Sequence, residues 1–99
     1  MIDDVLTMEE LRRRRAEILD LARKRGAHRI AVFGSVVRGE ARLDSDLDLL
    51  VGFEPGASLL DRVALVQDLE KLLGLEVDVV TRNALKPRDE RICAEAIDL

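Results

Sequence analysis

Ninety-nine residues suffice for one domain, here 1–99, which at this size buries roughly 60 to 70% of the surface of its unfolded chain. With 47% hydrophobic residues but only two Phe and no Trp or Tyr, the core must be aliphatic, and the near absence of base-stacking surfaces argues against a platform for single-stranded nucleic acid. A net charge of −4 likewise denies the chain the basic field that binding a nucleic-acid backbone needs.

Thr7 followed three residues later by Glu10 is a capping-box pattern. Met8, Leu11, Ile18, Leu19 and Ala22 then recur at helical spacing, which predicts a first helix from about Met8 to Arg25, stopped by Gly26. Its arginines, Arg12 to Arg15 and Arg23 to Arg25, read as a solvated helix face, with docking to an acidic partner as the sharper alternative. His28 to Phe33 alternates and reads as the first strand. His28, the only histidine, stands at its start and reads as an ordinary surface or hydrogen-bonded residue.

Gly34 and Ser35 end that strand, and Ser35 to Arg38 should form a short helical turn closed by Gly39. Backbone amides at such a turn bind anions, so Gly34 and Ser35 are candidates for holding phosphate oxygens. This is not a Walker loop, because the Gly-Lys-Ser/Thr ending is missing. Arg38 has two readings, steadying phosphates or pairing with an acidic neighbour.

A second apolar run opens with Asp46 and Asp48. Strand side chains alternate faces, so these two carboxylates project from one face with Cα atoms roughly 6.6 Å apart. Carboxylates that close repel unless a cation sits between them, and hard divalent ions such as Mg²⁺ are bound through such pairs together with substrate phosphates. A calcium loop starting at Asp44 is excluded: its sixth position would be Leu49 where Gly is required, and its twelfth Pro55 where Glu is required.

Glu54-Pro55-Gly56 ends the second strand, and Ser58 with Asp61 starts the next helix. Leu59, Leu60, Val63, Val66, Leu69, Leu72 and Leu73 make its expected core face, with Gly74 at its end. Leu75 to Thr81 reads as a third strand with Val77 and Val79 on one face and Glu76, Asp78 and Val80 on the other. If the second and third strands are neighbours, Asp78 meets Asp46 and Asp48 across the sheet, with Glu76 its nearest rival. Pro87 lies near the start of a last helix, Arg88 to Ile97, which Ile92, Cys93 and Ala96 would pack on the sheet.

Gly34-Ser35, Arg38-Gly39 and Ser45-Asp46-Leu47-Asp48-Leu49-Leu50-Val51, in this order and spacing, resemble the signature of the minimal nucleotidyltransferases of the DNA polymerase beta-like superfamily. The resemblance is close over the central motif and looser over nearly the whole chain. It implies a small two-layer α/β (α+β) domain, with helices packed on one face of a mixed β-sheet. It also implies transfer of a nucleoside monophosphate, AMP from ATP, to an acceptor. Gly34, Ser35 and Arg38 would bind the triphosphate, and Asp46, Asp48 and Asp78 would be the catalytic and metal-binding carboxylates for two Mg²⁺ ions. Asp44 falls in the preceding loop of the family pattern.

Relatives of this size are often paired with a helical HEPN toxin, which the small protein neutralises as its antitoxin, in some cases by adding AMP to a tyrosine. The acceptor is therefore expected to be a hydroxyl on such a partner. The alternatives are a binding-only antitoxin and a nucleotide-binding regulatory module. An Arg-x4-His pattern, Arg23 to His28, matches the HEPN ribonuclease motif but straddles a helix end and a strand start, and is read as coincidence. One cysteine, Cys93, fits a reducing compartment and reads as a small core residue. No apolar run approaches the roughly 20 residues that span a bilayer, and the acidic N-terminus is unlike a signal peptide. A cytoplasmic protein is expected, with no membrane or direct nucleic-acid contact, and an oligomer stays possible.

Overall fold

Three short apolar runs line up side by side because each carries β-branched or leucine residues at alternate positions facing one way. In a computed structural model that describes residues 5–99, they are β1 (Ala27–Phe33), β2 (Leu47–Phe53) and β3 (Val77–Thr81), joined by a short β4 (Ile97–Asp98) in the order β3-β2-β1-β4. β1 runs antiparallel to β2 and β4, and β2 runs parallel to β3. The parallel pair needs a crossover, supplied by α4 (Leu59–Leu73). The acidic N-terminal residues weighed against a signal peptide lie outside the described residues.

Ile30 and Val32, Leu47, Leu49 and Val51, and Val77 and Val79 form the core face of the sheet. Onto it pack α1 (Met8–Arg13) with Leu11, α2 (Arg15–Lys24) with Ile18 and Ala22, and α4 with Leu65, Leu69 and Leu73. This is the small mixed-sheet α+β domain that the resemblance implied. Among the described residues no charged or polar side chain is buried, so the core is wholly aliphatic.

Five expectations need correction. The first helix is broken at Arg14, whose ψ of 10° leaves the helical range and whose guanidinium donates to the Leu72 carbonyl at the end of α4. Thr7 accepts from the Glu10 N–H as a capping box requires, but the Glu10 carboxylate turns to Arg13 and Arg14 instead. On α4, Leu59, Leu60 and Val63 are exposed, while Leu65, Leu69 and Leu73, one helical repeat apart, meet the sheet. The capping box of Ser58 and Asp61 forms in full. The last helix, α5 (Glu90–Glu95), stops short because Ala96 is extended, and Ile97 enters β4 against Val32. Cys93 is exposed, not a core residue.

Three of the arginines near the N-terminus bind the domain together. Arg14 and Arg15 donate to the carbonyls of Leu72 and Leu99, and Arg25 pairs with Asp68. Arg13 pairs with Glu9 and Glu10 on its own helix, a surface arrangement of small energetic worth.

The difference between the two ends of α4 is measurable. Leu69→Ala is expected to cost about 2 to 5 kcal/mol in chemical denaturation, the range for truncating a buried leucine. Leu60→Ala, at a position 78% exposed, should stay within about 0.5 kcal/mol. Equal losses at both positions would mean that the exposed end of α4 packs against something in the folded protein.

Candidate active site

The site forms where β1 ends. Gly34 follows Phe33 with φ 81° and ψ −154°, a conformation essentially restricted to glycine, and turns the chain into α3 (Ser35–Arg38), closed by Gly39 at φ 72°. At four residues α3 is a single turn with little dipole, so any phosphate binding rests on individual N–H groups and side chains. Arg38 satisfies the second of its two readings: its guanidinium pairs with Glu95 and Glu40.

The sheet register brings the carboxylates to this turn. Phe33 lies opposite Asp48, and Asp48 opposite Asp78 on the parallel neighbour. Asp48 and Asp78 alternate with core residues of β2 and β3, so they stand on the face away from the core helices. Asp46 comes one residue before β2 and is exposed. The turn from Arg42 to Ser45 sets it there, with the Ser45 hydroxyl accepting from the Arg42 N–H at 2.8 Å.

Asp48 is the carboxylate most constrained by its surroundings. It packs so closely on Gly34 that a Cβ at position 34 would overlap its carboxylate oxygen. Burial pushes its pKa above the ordinary aspartate value, and the charges of Asp78, Asp46 and Glu95 push the same way, against the opposing pull of Arg38. Asp44 and Glu76 are not among the charges acting on it.

The donor set is all oxygen and carries excess negative charge, which suits a hard divalent cation. Among the described residues, however, no three carboxylate, thiol or imidazole groups converge on one point. Asp48 feels the like charges of Asp78 and Asp46, which a cation among them would relieve. His28 lies at the other end of the sheet, with its ring over Gly52, and has no part in the site.

Glu95 is the residue that sequence reasoning missed. One of its oxygens accepts from the Gly34 N–H at 3.3 Å, and the other from Nη1 of Arg38. A signal was present: Ile92, Glu95 and Ala96 share one helical face, and a carboxylate between two apolar residues on an inward face needs a partner.

The nucleotidyltransferase domain profile matches residues 8–97. The chain belongs to that family. A Methanocaldococcus jannaschii protein provisionally named a protein adenylyltransferase is 42% identical over 95 residues, 95% of this chain and 99% of that relative. The protein adenylyltransferase MntA of Thermococcus cleftensis is 48% identical over 83 residues, 83% of this chain and 84% of the relative. Among solved structures, one described provisionally as a minimal nucleotidyltransferase is 54% identical, with a TM-score of 0.83 and coverage of 95% of this chain and 97% of that one. The fold is shared at 20% identity with a complex of tri-AMPylated Shewanella oneidensis HEPN toxin and MNT antitoxin, at a TM-score of 0.65 over 88% of this chain and 69% of that one.

Proposed function

We propose that this nucleotidyltransferase moves AMP from ATP to a hydroxyl of a helical HEPN-type partner protein, and thereby acts as the antitoxin of a toxin-antitoxin pair. The observation that carries this reading is the packing of Asp48 on Gly34, which joins the acidic cluster and the phosphate-binding turn into one site. The 48% identity to a protein adenylyltransferase supports AMP as the group transferred.

Asp46, Asp48 and Asp78 would hold the cation, and Gly34, Ser35 and Arg38 the triphosphate. Two Mg²⁺ ions, when bound, would stabilise charge on the entering and leaving oxygens. The acceptor oxygen forms a bond to the α-phosphorus, the bond from that phosphorus to the bridging oxygen breaks, and pyrophosphate departs with the electron pair. The acceptor proton passes to water. Such chemistry is mostly positioning and charge stabilisation, so a site without histidine or cysteine can perform it.

A second reading, a binding-only antitoxin, draws on Glu95, which holds the Gly34 N–H that a phosphate would use. The complex of this protein with its co-expressed helical partner decides between them. Incubation with labelled ATP and Mg²⁺ should label the partner, EDTA should prevent it, and Asp46→Asn should abolish labelling while the complex persists. Neutralisation of the partner without label, retained in Asp46→Asn, would establish binding alone as sufficient.

A further inference from the structure

Glu95 reaches the phosphate turn from a different part of the chain, 61 residues along from Gly34. Its two oxygens engage the Gly34 N–H and the Arg38 guanidinium together, two donors that the proposed triphosphate site requires. Beside them lies an open surface depression lined by Arg38, Arg91 and Glu95. With the Glu95 carboxylate withdrawn, the charged lining of that depression becomes two guanidiniums, a setting for a multiply charged anion.

We propose that Glu95 is a specificity-determining residue of the site, an internal anion that occupies the seat made by Gly34 and Arg38 and yields it only to a polyphosphate tail. The inference rests on the nucleotidyl-transfer reading and deepens it. A monophosphate would replace one anion on these donors by another, with little net gain. A triphosphate adds charge and length, enough to engage Arg38 and Arg91 at once, and so offsets the lost carboxylate contacts.

The competing role, in which Glu95 merely aims Arg38, fits less well. Nε of Arg38 also donates to Glu40 at 3.2 Å, so the guanidinium stays tethered when Glu95 leaves. Glu95 also adds a negative charge felt by Asp48, which opposes an incoming triphosphate rather than preparing for it. Departure of pyrophosphate would let the carboxylate return, so the same residue favours product release.

Calorimetric titration in Mg²⁺ with ATP, inorganic tripolyphosphate and AMP tests this. Glu95→Gln should bind ATP and tripolyphosphate about tenfold more tightly than the wild type, and AMP, no longer competing with a resident carboxylate, should gain as well. Glu95→Asp keeps the charge but is too short to hold both donors, so it should move in the same direction by less, and it decides the matter if Glu95→Gln does not fold. Wild-type binding with no gain, or a loss, in the variants overturns this inference and leaves the transfer reading standing. A variant that binds tripolyphosphate where the wild type does not sustains the inference. Failure of every protein to bind either polyphosphate brings down both.

Discussion

Replacing Asp48 by Asn is expected to end nucleotidyl transfer while leaving the folded protein intact and, without metal, more stable at neutral pH. Loss of activity should exceed about a hundredfold, since groups that only support a metal ligand already cost about ten- to a hundredfold. The stability effect follows from the raised pKa of Asp48, caused first by burial and then by Asp78 and Asp46. A raised folded value means that the native state holds its proton more tightly than the unfolded chain does. Stability from this group therefore falls as pH rises through the window between the ordinary aspartate value and the raised one. The penalty is absent below that window and complete above it. Melting curves of both proteins in EDTA should differ most near pH 7 and converge on acidification. If Asp48→Asn instead unfolds the protein at pH 7, Asp48 is a structural residue and its assignment to metal binding is wrong.

If the proposed metal site is right, adding Mg²⁺ should reverse the order of stability, because the cation would bind the native aspartates and offset their repulsion. The same measurement thus separates a carboxylate kept for a ligand from one kept for the fold.

Much of this site was legible because it is written in local patterns. Alternation places Asp48 and Asp78 on the face opposite Leu47, Leu49, Val77 and Val79, and the sheet has them in register. Gly26, Gly39 and Gly74 end their helices with positive φ, as glycine past a helix end does. What was not legible depends on distant contacts. β4 is two residues long and exists because Ile97 and Asp98 find the free edge of β1, and because Asp98 pairs with Arg29 there. Nothing in the periodicity near Ile97 encodes that edge. The arginine cluster looked like a solvated face, yet Arg14 and Arg15 cap carbonyls 58 and 84 residues away. Glu95 belongs to the same class: its inward position was readable, but its partners, Gly34 and Arg38, lie across the fold.

Gly34→Ala is expected to disable the site more thoroughly than any change at Ser35, because it meets two separate obstacles. The backbone at φ 81° and ψ −154° is strained for any residue with a Cβ, at a cost of order 1 to 3 kcal/mol. The new methyl would also overlap the Asp48 carboxylate, so one of the two must move. Displacing Asp48 separates the acidic cluster from the phosphate turn and removes nucleotide binding along with transfer. The two obstacles can be told apart by a double-mutant cycle with Asp48→Ala, which removes the overlap but leaves the backbone strain. In that background Gly34→Ala should cost only the backbone share, so the two substitutions together should destabilise less than the sum of each alone. Strict additivity would mean that Asp48 does not press on Gly34 in solution. Wild-type melting and full transfer by Gly34→Ala alone would mean that the turn has another conformation, and that Gly34 and Asp48 do not form one site.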